Sequence, residues 1–127
     1  MDDPTPSELA ILQVVWQLGE CRVQDVNDEL NRTRETGYTT TLKLMQIMTD
    51  KGLLSRRKDG RSHLYQATMQ EQKTKSGLLD RLVNRVFGGS RSSAVMQLLG
   101  SSDVTEQELA EIQKFLNDKK KNNSPKA

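Results

Sequence analysis

The sequence predicts a mainly α-helical protein that carries one small β-hairpin. Apolar residues recur three and four positions apart in several separate stretches, the spacing of one face of an amphipathic helix. Thr5-Pro6-Ser7-Glu8 and Thr105-Glu106-Gln107-Glu108 each set a threonine three residues before a glutamate, a pairing that caps a helix start from both sides. Between Leu53 and Ala67 the period shortens to rough alternation, broken by Asp59-Gly60, among the strongest hairpin turn pairs.

Met1 to Pro4 is expected to fray. The first helix opens at Thr5, with proline at its first position, and Gly19 closes it. Leu9, Leu12, Val15, Trp16 and Leu18 are its expected apolar face, with Trp16 as a core anchor. Glu20-Cys21-Arg22 is a short link able to pair as a one- or two-residue strand beside the hairpin. A second helix, from about Val23 to Asn31, turns Val23, Val26 and Leu30 inward and Gln24, Asp25, Asn27 and Asp28 outward.

After a polar connector from Arg32 to Thr36, a third helix is expected to begin at Thr39. One hydroxyl of Thr39-Thr40-Thr41 would accept a hydrogen bond from a free first-turn amide. Thr41, Leu44, Met45 and Met48 fall on its core side, which leaves Thr39, Thr40, Lys43, Gln46 and Ile47 opposite. Lys51 and Gly52 stop it, since glycine accepts a left-handed backbone and lysine suits the last turn. Strands follow over Leu53 to Lys58 and Ser62 to Ala67, with Arg57, Lys58 and Arg61 crowding the turn.

Beyond Ala67 a long helix is expected from about Gln70 to Phe87, striped by Leu78, Leu79, Leu82, Val83 and Val86, with Gly88-Gly89 breaking it. Ala94, Val95, Leu98 and Leu99 mark a short fifth helix ending near Gly100. The Thr105 capping box opens a last helix faced by Leu109, Ile112, Phe115 and Leu116. The expected division is 1–68 for an N-terminal winged helix-turn-helix, 69–119 for a helical dimerisation region and 120–127 for a disordered tail. Three short helices bury so wide a stripe poorly without a second copy, so a homodimer is expected.

Composition narrows the function. With 127 residues, 34% hydrophobic and 4% aromatic, the core must be aliphatic and modest. The net charge of +2 is too mild to indicate nucleic-acid binding, yet Lys43 to Arg61 holds six Lys/Arg against Asp50 and Asp59. One cysteine, Cys21, excludes an internal disulfide and supplies no metal cluster, and no cofactor is expected. His63 is the single histidine, with no nucleophile or carboxylate at a catalytic spacing, and Gly88-Gly89 lacks the context of a phosphate-binding loop. The chain is therefore not expected to be an enzyme. It shows no signal peptide and no apolar run of membrane-spanning length, which fits a soluble cytoplasmic protein without membrane insertion.

A short helix with an uncluttered polar face, followed at once by a basic-tipped hairpin, suits double-stranded DNA. The helix can enter the major groove while the hairpin, as a wing, reaches neighbouring phosphates. The expected contacts are Thr39, Thr40, Lys43, Gln46 and Ile47 from the helix and Arg57, Lys58 and Arg61 from the wing. The alternative is a winged-helix scaffold for protein contacts that binds no specific DNA.

The chain resembles the BlaI/MecI/CopY family of bacterial transcriptional repressors, of the penicillinase-repressor type. The likeness lies in Ser7-Glu8-Leu9 with Ile11-Leu12 and Val15-Trp16, in Val23-Gln24-Asp25-Val26, in Tyr38-Thr39-Thr40 with Leu44, and in Lys51-Gly52-Leu53-Leu54. The order of elements matches from Thr5 to about Lys119. The resemblance implies repression by a homodimer on a palindromic operator, with Thr39, Thr40 and Lys43 on the recognition helix. Ile47 stands where relatives often carry a basic residue, and an apolar side chain there can touch a thymine methyl. Relatives under β-lactam control are cut by a membrane metalloprotease sensor system at an asparagine-phenylalanine bond. The matching place here is about Gln97-Leu98, so the resemblance does not carry that route over. Copper-responsive relatives have paired C-terminal cysteines, which this chain lacks.

Overall fold

The computed structural model describes residues 3–123. In chain order the elements are α1 (Pro6–Leu18), α2 (Val23–Leu30), α3 (Tyr38–Asp50), β1 (Leu54–Asp59), β2 (Ser62–Ala67), α4 (Glu71–Val86), α5 (Arg91–Leu99) and α6 (Glu106–Asn122). This is the mainly helical, winged architecture that the sequence predicts. The chain forms two compact units that divide inside α4, between Leu79 and Asp80, whereas the expected boundary lay just after β2.

In the first unit, Thr5 caps α1 as predicted. Its hydroxyl accepts from the Glu8 amide at 3.2 Å, and the Glu8 carboxylate accepts from the Thr5 amide at 2.9 Å. The buried face of α1 is Ile11, Leu12, Val14 and Val15. Leu18, expected inward, is exposed, and Leu9 and Trp16 are only partly covered. The reason is geometric: α1 touches α2, α3 and β2, so its buried arc is centred on the side those elements share. Trp16 spans the edge of the core, and its indole Nε1 donates to the Met69 carbonyl at 3.0 Å.

Val26, Met45, Met48, Leu53, Leu54 and Tyr65 complete the core with the α1 residues. β1 and β2 pair antiparallel, from Leu54 opposite Ala67 to Asp59 opposite Ser62. The pairing leaves Gly60 and Arg61 as the two loop residues, one position later than the Asp59-Gly60 turn the sequence suggests. Only Gly60 has positive φ, at 65°, the pattern of a turn with glycine first, whose twist matches the strands. The link before α2 does pair with the hairpin. Cys21 and Tyr65 exchange backbone hydrogen bonds of 2.9 and 2.7 Å, so Cys21 forms a one-residue third strand.

Two further expectations are corrected. The third helix begins at Tyr38 rather than Thr39, and its N-cap is Gly37, with no side-chain cap. Thr41 points into the core, as its spacing predicts, and there its hydroxyl meets Asn27 rather than capping the helix. Asn27, expected to face solvent, is buried because the connector folds over it.

In the second unit Ser90 caps α5 and Thr105 with Glu108 caps α6. The helix α6 continues to Asn122, so residues 120–122 are helical where a disordered tail was expected; lysines in the last turn suit the helix dipole. Residues 124–127 lie outside the described part. Among the described residues of this unit only Val83 is a buried hydrophobic. Leu82, Val86, Val95, Met96, Leu98, Leu109, Phe115 and Leu116 are all exposed, Met96 and Leu98 by 69%.

Candidate nucleic-acid interface

The helix α3 has two unlike sides. Thr41, Met45 and Met48 are buried, while Thr39, Thr40, Lys43, Gln46 and Ile47 are all exposed. The five predicted contact residues therefore share the solvent side of a helix whose other side is held by the core. No acidic residue occupies its first turn, so nothing there repels a polyanion. Tyr38 stands exposed at the head of the same helix. It flanks a cleft of about 310 Å³ between α3, the start of α2 and the hairpin, lined also by Arg22, Gln24, Arg61 and His63.

On the wing the predicted cations separate. Lys58 and Arg61 are exposed and form no ion pair among the described residues, and the same holds for Arg56, which the turn-centred pattern passed over. Arg57 is engaged. Its Nε and Nη2 donate to both oxygens of Glu20 at 2.8 and 2.9 Å, the fork geometry that suits guanidinium to carboxylate. The Arg57 hydrogen bond holds the Glu20 carboxyl below its ordinary pKa, and Glu20 in turn raises that of Arg57. Beside this pair, Arg22 donates to Asp59 and Ser62. Alternation along the strands explains the split: Arg57 and Asp59 project to one face of the hairpin, and Arg56 and Lys58 to the other. Two ion pairs thus fasten the link before α2 to β1.

The far end of α3 is fastened too. The Lys51 ammonium lies 2.8 Å from the Glu8 carboxylate, which is 2% exposed. Burial pushes the Glu8 pKa up, but the Lys51 contact and the Thr5 amide outweigh it and hold the carboxyl below its ordinary value. Neither pair was visible in local sequence patterns.

The described residues contain no cluster of three or more metal-ligating side chains. Burial, followed by the charges of Asp25 and Glu20, pushes the Cys21 thiol up to about 11, so it stays protonated and a poor nucleophile. His63 lies beside the Tyr65 ring, with centroids 6.4 Å apart. Among the described residues no helix is long and apolar enough to cross a membrane.

The decisive comparison is with a family model described as penicillinase repressor, which matches residues 4–118. The chain belongs to the penicillinase repressor family. Among relatives, it is 22% identical over 113 residues to the methicillin resistance regulatory protein MecI of Mammaliicoccus sciuri, covering 89% of this chain and 92% of that protein. It is 24% identical over 114 residues to the penicillinase repressor of Bacillus licheniformis, covering 90% and 89%. Its fold is similar to that of the transcriptional regulator Tm0710 from Thermotoga maritima, with a TM-score of 0.54, 19% identity and coverage of 97% of this chain and 81% of that one. Penicillinase repressor membership places the chain among regulators rather than enzymes. Gln97 and Leu98 lie within α5, both side chains exposed.

Proposed function

We propose that the protein is a cytoplasmic transcriptional repressor that binds a palindromic DNA operator as a homodimer. The observation that carries this is the solvent face of α3, where Thr39, Thr40, Lys43, Gln46 and Ile47 stand together beside a wing that offers Lys58 and Arg61. Hydroxyl, amide and ammonium groups there can read base edges in the major groove. Ile47 matches a thymine methyl, and the wing cations match phosphate. Arg57 contributes less to phosphate binding than the other two, since Glu20 already occupies its fork.

The exposed apolar side chains of the C-terminal helices support the dimer. Leu82, Val86, Val95, Leu98, Leu109, Phe115 and Leu116 lie open with Ile112 half-covered, a density of apolar surface that monomers rarely leave to water. On α4 Leu79 is exposed as well, whereas Leu78 is half-buried and Val83 is already buried within the chain. A two-fold dimer sets two recognition helices on half-sites about 34–36 Å apart, or a multiple of that. Cleavage at Gln97-Leu98 by a membrane metalloprotease is not part of the proposal, because that bond sits inside a helix and lacks the asparagine-phenylalanine pair.

The test is enrichment of duplexes from a random-sequence pool, followed by gel shifts at two salt concentrations. A repressor should enrich a symmetric sequence and lose affinity steeply with salt. No enrichment above background would refute specific DNA reading and favour a protein scaffold.

A further inference from the structure

We propose that Asn27 is a positioning residue for DNA reading, setting the roll of α3 about its own axis through the buried hydroxyl of Thr41. The proposal rests on the DNA-reading assignment of α3 given above. Asn27 is 6% exposed and Thr41 is fully buried. The Asn27 Nδ2 donates to Thr41 Oγ1 at 2.9 Å and to the Thr36 carbonyl at 3.0 Å, so one carboxamide ties α2 to both the connector and α3. Asn31 doubles the hold: its Nδ2 donates to the same Thr36 carbonyl at 2.9 Å, and its Oδ1 accepts from the Thr36 amide at 2.9 Å. No buried side-chain polar atom in the described structure lacks a partner.

A buried amide-hydroxyl pair is not the most stabilising choice for this position. An apolar pair of the same shape is often as stable, so the polar pair's distinctive contribution is direction. Direction is what the head of α3 otherwise lacks, since the Lys51–Glu8 pair fastens only its far end. Its fully buried face is Thr41, Met45 and Met48, with Leu42 and Leu44 partly covered against the core, and methionine is the side chain that repacks most readily. Its N-cap is a glycine with no side-chain bond. Packing alone would therefore leave the head of the helix free to turn, and a turn of about 10° moves a side-chain tip roughly 5–6 Å from the axis by about 1 Å. That displacement exceeds the tolerance of a hydrogen bond to a base edge, roughly 2.7–3.2 Å between heavy atoms. Thr40 and Lys43 flank Thr41 closely in sequence, so they inherit whatever angle the Asn27 bond imposes.

The experiment compares wild-type protein with Asn27→Leu/Thr41→Val, a near-isosteric apolar pair, on two duplexes: one enriched by wild-type protein from a random pool, and its scrambled counterpart. The double variant should unfold cooperatively with a midpoint close to wild type. Its affinity for the scrambled duplex should stay within about two-fold with an unchanged salt slope, since phosphate contacts are untouched. Its preference for the enriched duplex should fall by about ten-fold or more. A folded double variant that keeps the wild-type preference would overturn the proposal while leaving DNA reading intact. Should that variant fail to fold, Thr41→Ser against Thr41→Val decides the matter: serine should retain the preference and valine lose it, and equal preferences would overturn the proposal. Wild-type protein that enriches no sequence would overturn the DNA-reading assignment itself, and this proposal with it.

Discussion

Replacing Lys51 with methionine removes the ammonium that faces Glu8 while keeping most of the side chain's apolar stem. The Glu8 carboxylate is nearly sealed from solvent, and its Oε2 would lose its 2.8 Å partner. Orphaning one member of a fully buried pair typically costs about 3–5 kcal/mol. The Lys51 side chain is 45% exposed, however, and water can enter as the lysine leaves, which discounts the loss to about 1–2 kcal/mol. Urea unfolding at neutral pH measures it directly as a lower midpoint at unchanged slope. The pH dependence supplies a second, independent sign. Because the folded-state pKa of Glu8 is lowered from 4.5, its contribution is present above that unfolded value and is lost as pH falls through the folded one. The gap between wild type and Lys51→Met should therefore be largest at neutral pH and narrow through the acid range below about pH 4. A gap of the same size at pH 7 and pH 3, or none at pH 7, would refute the idea that this pair fastens the end of α3 to the start of α1.

Other substitutions test the reading surface and the dimer. Lys43→Ala should weaken binding to the preferred duplex by about 1–3 kcal/mol while barely changing affinity for scrambled DNA, as read by competitive gel shift. Arg61→Ala should weaken all duplexes alike and reduce the salt slope by about 1, whereas Arg57→Ala should leave that slope nearly unchanged because Glu20 already binds the guanidinium. Equal slopes for the two variants would contradict the division of the wing cations. Leu82→Glu combined with Leu109→Glu should give monomers of low operator affinity, and sedimentation of a dimer at micromolar concentration would count against the proposed interface.

Short-range features were legible in the sequence because their causes are short-range. The Thr5 and Thr105 boxes span four residues each, and the two sides of α3 follow from helical periodicity once its extent is known. The link around Cys21 was recognisable as a strand by its place between a helix stop and a helix start. What stayed hidden depends on distance along the chain. Glu20 and Arg57 are 37 residues apart, Glu8 and Lys51 are 43 apart, and no periodicity couples such positions. Asn27 misled for a related reason. Its place on α2 reads as solvent-facing beside Asp28, and only the connector folding over that side makes it interior. Thr41 was correctly turned inward by its helical spacing, but the hydroxyl's role emerged only with Asn27 beside it. The turn was missed by one position because Asp59 forms the closing pair of the ladder, which leaves Arg61 at the tip with Gly60.

The Cys21 bridge gives the molecule a built-in clock. The chain has a single thiol, buried in the core where the link before α2 pairs with Tyr65. A labelling reagent must wait for that seat to empty, so the rate of modification counts how often the wing lets go of the helices. A duplex that grips the wing and α3 together, as proposed, should slow the count, which turns one inert side chain into a gauge of how firmly the hairpin and the helices move as a single piece.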